Sequence, residues 1–122
     1  MEFNVLDESK KRILAIDDCR EISFAEVLCR TYSSGIVALE RLGPWDELFL
    51  DHDLGALRID RNDNGRELTG HDVAKWLVAN PNHRPAKINV VTGNPSGLVN
   101  ITAALIDAGY EKVNERNFEL KE

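Results

Sequence analysis

"LFLDHDLG", residues 48–55, sets three apolar residues directly against Asp51, His52 and Asp53. A short apolar run bounded by polar groups reads as a buried strand. Carboxylates are seldom buried without a partner, so a strand ending in two of them and an imidazole needs a reason. "RILAIDDCR", residues 12–20, repeats the pattern: a short apolar run ends in Asp17 and Asp18. Whether these two acidic strand ends meet decides both the fold and the function.

The segments between and beyond them alternate in character. Residues 26–32, "EVLCRTY", read as a strand, with a helix as the alternative because Phe24, Val27 and Leu28 fall at helical spacing. "SSGIVALERLG", residues 33–43, reads as a helix. Ser33 or Ser34 is its expected cap, Ile36, Leu39 and Leu42 form its apolar stripe, and Gly43-Pro44 ends it. "GHDVAKWLVAN", residues 70–80, repeats Val73, Trp76 and Leu77 at helical spacing, and Pro81 bounds it. "KINVVT" reads as a strand. "NPSGLVNITAALIDAG" reads as a helix with Ser96 as the expected cap and Gly109 just past its end. The tail "YEKVNERNFEL" is expected to hold one short strand. Strands alternating with amphipathic helices imply a parallel sheet covered on both faces. Ligands of such sheets sit beyond the carboxyl ends of the strands. The unusual residues fall there: Asp17 and Asp18, then Asp51 to Asp53, then Thr92, Gly93 and Asn94.

At 122 residues the chain is the size of one domain. It is expected to form one unit over 1–122, with a core of about 12–114 and a loop insertion at 55–70. A 43% apolar and 30% charged composition is that of an ordinary globular domain. A net charge of -6 argues against binding extended duplex nucleic acid. A small phosphorylated ligand remains compatible, because a metal ion can invert the local field. Cys19 and Cys29 have no metal-ligand spacing, and the start "MEFNVLDESKK" has no signal-peptide core, so a membrane-free, cytoplasmic protein is expected.

Carboxylates gathered at one rim repel, by about 4 kcal/mol for a pair 4 Å apart at an effective dielectric of 20. Protonation or a bound cation relieves this. All-oxygen donors suit Mg²⁺, which keeps coordination positions for phosphate oxygens; three histidines in the whole chain are too few for a convincing zinc site. Mg²⁺, carboxylates and the hydroxyl of Thr92 together point to phosphoryl chemistry. A shared ion requires the two acidic stretches at the same end of the sheet, with no lysine or arginine already neutralising them. His52 neighbours both acids in sequence, but adjacent side chains on a strand point to opposite faces. Cys19 lies beside the acidic pair, whose charge opposes a reactive thiolate.

Two further motifs are decoys. "DRNDNG", residues 60–65, begins like a calcium loop, but His71 stands where the bidentate Glu belongs. "TGNPSG" lacks the lysine of a phosphate-binding P-loop, although its amides at a helix start suit an anion. The 55–70 segment is rich in Asp, Asn, Arg and Gly. It is either a lid whose Arg58, Arg61 and Arg66 grip phosphate or a solvated surface insertion.

"AIDD", "LFLDHDLG" and "VVTG" together resemble a response-regulator receiver domain. "LDHDLG", the long loop, "LTGHDVAKWL" and "NPSG" are similar to its cyclic-phosphate processing branch, found in bacteria and phages. The resemblance covers about residues 12–110. It implies a receiver-like, flavodoxin-like, doubly wound α/β parallel sheet of four to five strands, with a reduced first helix and a long loop after the third strand. It implies Asp17, Asp18 and Asp51 as Mg²⁺ ligands, Asp51 as a phosphate acceptor, and Thr92 as the hydroxyl that contacts the phosphoryl group. Asp53 and His52 complete the candidate catalytic set, and Gly93, Asn94, Ser96 and Arg66 are candidate substrate contacts. Two departures stand out. No Lys-Pro pair follows the last strand, so Lys112 is not assigned the receiver lysine's role. Val91-Thr92 stands where the branch often carries His-Ser.

Three functions are expected to compete. The first is Mg²⁺-dependent phosphoryl transfer or phosphodiester hydrolysis on a cyclic phosphate of a nucleotide or RNA end. The second is a phospho-accepting signalling switch. The third is a non-catalytic, phage-type protein that binds a host factor.

Overall fold

The computed structural model describes residues 10–121. The opening stretch, expected to hold no signal-peptide core, lies outside them apart from Lys10 and Lys11. The chain is α/β and receiver-like, with three helices and a mostly parallel sheet of six strands, one more than the four to five expected. The strands are β1 (Ile13–Ile16), β2 (Val27–Cys29), β3 (Glu47–Leu50), β4 (Lys87–Val90), β5 (Tyr110–Asn114) and β6 (Asn117–Leu120). The helices are α1 (Tyr32–Arg41), α2 (Gly70–Ala79) and α3 (Pro95–Asp107), with a 3₁₀ turn at Pro81–His83.

The sheet order is β2-β1-β3-β4-β6-β5. β1 to β4 run parallel, and β6 lies antiparallel between β4 and β5. Without β6 the order is the 2-1-3-4-5 of a flavodoxin-like sheet. The tail therefore forms a hairpin rather than the single strand expected of it. "NER" is too short for a parallel crossover from β5, but long enough to turn the chain back so that β6 pairs antiparallel with β5.

Each helix begins on a side-chain cap. Thr31 caps α1, accepting from the Ser34 amide, while Ser34 answers to the Thr31 amide; neither Ser33 nor Ser34 is itself the cap. Thr69 and Asp72 form the same reciprocal box on α2. Asn94, not Ser96, caps α3 by accepting from Gly97, and Pro95 takes the first helical position, where it loses no hydrogen bond.

The core lies between the helices and one face of the sheet. Leu14 and Ile16, Leu48 and Leu50, Ile88 and Val90, and Phe118 point there. They meet Ala38 and Leu39 of α1, Val73, Ala74 and Leu77 of α2, and Ile101 and Leu105 of α3. Coverage of the second face is far thinner than the expected second helical layer. From β2 onward the helical connections all step the same way across the sheet, and right-handed crossovers then share one face. Only the β1–β2 connection steps the other way, and its ten residues, 17–26, contain no helix. Phe24 from that segment packs edge-on against Phe49, with ring centroids 5.0 Å apart. Farther along this face, Asn117 donates to Asn89, and Asn89 donates to Glu47 at 2.7 Å. The strands thus alternate after all. Ala15 and Phe49 hid the alternation, being apolar residues on the thinly covered side.

Candidate functional site

Strand register assembles the site. Ile16 pairs with Leu50, and Leu50 pairs with Val90. Main-chain bonds continue one step further: the Asp51 amide donates to Ile16 at 2.9 Å, and the Val91 amide to Leu50 at 2.9 Å. The next residues, Asp17 and Asp51, are thereby neighbours at the carboxyl end of the sheet, with Thr92 just beyond β4. The two acidic stretches meet.

Asp18 and Asp51 line an open pocket of about 590 Å³ with Cys19, Arg20, Asp53, Thr92, Gly93, Asn94 and Pro95. Asp17 is wholly buried and Asp51 is 5% exposed. Each acidic side chain spends one oxygen on the main chain. Asp17 Oδ1 accepts from the amides of Cys19 and Arg20, Asp51 Oδ1 from His52, and Asp18 Oδ2 from Ala56. Asp17 Oδ2 and Asp51 Oδ2 are thereby left to a common partner.

That partner is Arg20, whose role the sequence did not reveal. Its Nη1 lies 3.1 Å from Asp17 Oδ2 and 3.3 Å from Asp51 Oδ2. An arginine therefore already offsets part of the charge, contrary to what a shared metal ion was expected to require. The offset is incomplete. Burial, and next the charge of Asp17, push the Asp51 carboxyl up to about 6, although the His52 amide and Arg20 act the other way. One guanidinium pairs with Asp17 and Asp51, and Asp18 and Asp53 line the same pocket. Hard carboxylate oxygens on rigid strand ends fit a divalent cation. Asp17, Asp18 and Cys19 offer ligand atoms within 4.8 Å of one another. The Cys19 thiol is a poor member of that set: burial and the neighbouring charges of Asp18 and Asp17 raise its pKa and keep it protonated.

The other candidates divide. The Thr92 side chain is buried at the pocket wall, where its Oγ1 accepts from the Asn94 amide at 3.1 Å. Asn94 Oδ1 is taken by the Gly97 amide and its side-chain nitrogen lies 3.5 Å from His52 Nδ1, so one N–H of that nitrogen remains for a ligand. Gly93 is exposed at the rim, and Ser96 is exposed and not among the lining residues. His52 is not at the pocket. Its ring lies against the first turn of α3, and a Cβ at Gly97 would stand 2.5 Å from it. His52 Nδ1 is 2.9 Å from Asp53 Oδ1, so the ring orients Asp53, which does reach the pocket.

The loop arginines are held elsewhere. Arg66 pairs with buried Asp72 at 2.6 Å, Arg58 with Asp60 at 2.8 Å, and Arg61 donates to the Gly65 carbonyl. Asp60 in turn accepts from the Ser33 amide at 2.9 Å, tying the loop to the start of α1. Lys112 stands beside α3 with Leu98, Val99, Thr102 and Glu115, because β6 separates its strand from β4. A second cation missed in the sequence is Arg116, in the β5–β6 turn. It donates to the Thr92 carbonyl at 2.6 Å and buttresses the pocket wall.

A family model described as the cyclic-phosphate processing receiver domain matches residues 12–107. The chain belongs to this family. The match ends before the β5–β6 hairpin, so the strand inserted beside β4 and Arg116 lie outside it. No curated protein and no solved structure shows a significant match. Among the described residues, no helix is long and apolar enough to cross a membrane.

Proposed function

We propose that this receiver-type domain holds Mg²⁺ through Asp17, Asp18 and Asp51, and acts on a cyclic phosphate of a nucleotide or RNA end by phosphoryl transfer or phosphodiester hydrolysis. The observation that carries this is the convergence of Asp18, Asp51, Asp53 and the Thr92–Asn94 segment on one open pocket, with Asp17 buried beside it and joined to Asp51 through Arg20. When bound, Mg²⁺ would neutralise charge developing on the phosphoryl oxygens.

The chain's own groups have distinct tasks in this reading. Asp51 presents Oδ2 to the pocket as ligand or nucleophile. Asp53, whose side chain is largely exposed, sits at the mouth as a base toward water, oriented by His52. The Thr92 hydroxyl and the Asn94 amide nitrogen orient phosphate oxygens. Lys112 stands away from the pocket, which disfavours a conventional phospho-switch.

The test is hydrolysis of a 2′,3′-cyclic nucleotide by the full chain, with Mg²⁺ and with EDTA. Turnover should require Mg²⁺ and fall by at least about a hundredfold in Asp51→Asn. Turnover indifferent to both changes would refute the proposal. Stable labelling of Asp51 by acetyl phosphate without turnover would favour the switch instead.

A further inference from the structure

Arg20 is the one cationic side chain among the residues lining the acidic pocket. A single nitrogen, Nη1, touches both Asp17 Oδ2 and Asp51 Oδ2. These are the oxygens that main-chain amides leave free. The guanidinium therefore stands on the same two atoms that a divalent cation would take. The partners differ in freedom. The side chains of Asp17 and Asp51 are 0% and 7% exposed on strand ends, whereas that of Arg20 is 46% exposed. A partly exposed ion pair is weak and exchangeable, so the arginine is the member free to move.

A phosphorylated ligand entering this pocket meets three carboxylates and needs a cationic donor. A planar guanidinium matches phosphate oxygens in pairs. While Asp17 and Asp51 hold Nη1, the charge of the guanidinium is compensated, so its remaining N–H groups attract an anion only weakly. Other arginines are engaged: Arg58 with Asp60, Arg66 with Asp72, Arg30 with Glu21, and Arg116 with the Thr92 carbonyl.

We infer that Arg20 is a displaceable counter-ion: a divalent cation takes Asp17 and Asp51 from it, and the released guanidinium then holds the phosphoryl group at the pocket mouth. This rests on the metal-dependent function proposed above and adds an order to it. The cation binds first and the phosphoryl anion second, with Arg20 as the link.

The test is calorimetric titration of the EDTA-treated full chain with MgCl₂, with inorganic phosphate, and with phosphate at saturating Mg²⁺. Wild type and Arg20→Gln are compared, with circular dichroism to confirm folding. Mg²⁺ should bind about fivefold more tightly to Arg20→Gln, the size of a partly exposed ion pair. Phosphate should bind wild type only once Mg²⁺ is present, and Arg20→Gln should lose that enhancement. A readout on wild type needs no variant: the Arg20 guanidinium ¹⁵N signals should shift on adding Mg²⁺, and again on adding phosphate. Equal or weaker Mg²⁺ binding by Arg20→Gln overturns the counter-ion role while leaving the metal site intact. So does Mg²⁺ binding that leaves the guanidinium signals in place. Phosphate binding that is indifferent to Mg²⁺ overturns the order. Failure of both folded proteins to bind Mg²⁺ refutes the metal site, and this inference with it.

Discussion

Gly70, the first residue of α2, lies so close to the end of β3 that a Cβ on it would stand 1.9 Å from the carbonyl oxygen of Asp51. Its amide donates to the His52 carbonyl at 2.7 Å. The start of α2 is therefore seated directly on the acidic stretch, with backbone against backbone. Gly70→Ala cannot be absorbed by a side-chain rotation and should cost about 3 kcal/mol or more. Urea unfolding measures this. A loss below about 1 kcal/mol would mean that the close approach yields easily.

Gly97 makes room for the His52 ring in the same way, but its neighbour is a side chain that can move. Gly97→Ala should destabilise by about 1–3 kcal/mol. The double variant His52→Ala/Gly97→Ala should recover most of the clash energy, giving a favourable interaction term in the cycle. Simple additivity of the two losses would show that the ring does not rest on Gly97 in solution.

Asp51 should give the metal-free protein an unusual pH dependence. Its carboxyl is raised from 3.8 to about 6, chiefly by burial and next by Asp17. Between those values the folded chain keeps a proton that the unfolded chain has lost, so this group's contribution to stability falls as pH rises. The lowered carboxylates of Asp60 and Asp72 act in the opposite sense, but they are common to wild type and variant. In EDTA, Asp51→Asn should therefore gain on wild type by about 1–3 kcal/mol between pH 4 and pH 7. Denaturation curves at several pH values test this. A constant difference would place Asp51 in an ordinary solvated environment.

Magnesium should raise the melting temperature of wild type. A ligand bound only by the native state adds about 2.7 kcal/mol at a hundredfold excess over Kd. Asp51→Asn and Asp18→Asn should respond much less. An equal response in all three proteins would locate the ion elsewhere.

The 55–70 loop should behave as an anchored structure in thermal unfolding. Asp60→Ala removes the acceptor for the Ser33 amide in the first turn of α1, a turn with no acidic residue of its own. A loss of about 1 kcal/mol is expected, typical of an N-terminal helix acceptor. No change in stability would leave the loop free of α1 and restore it as a lid.

The sequence alone determined the alternation of strands and helices, because apolar spacing along a segment is local and survives any fold. It also determined where the acidic residues fall relative to the strands. A parallel sheet gathers strand ends on one side, so Asp17, Asp18, Asp51 and Thr92 could be named as one site from order alone. Tertiary structure decided the rest, because each outcome depends on groups far apart in the chain or on directions that spacing does not encode. Arg20 is three residues from Asp17 but 31 from Asp51, and only the β1–β3 register makes it a bridge between them. His52 lost its place at the pocket because α3 offers a gap at Gly97. Arg66 turned to Asp72 because a buried carboxylate needs a partner more than an open pocket does. The second face stayed thinly covered because ten residues between β1 and β2 leave no room for a helix.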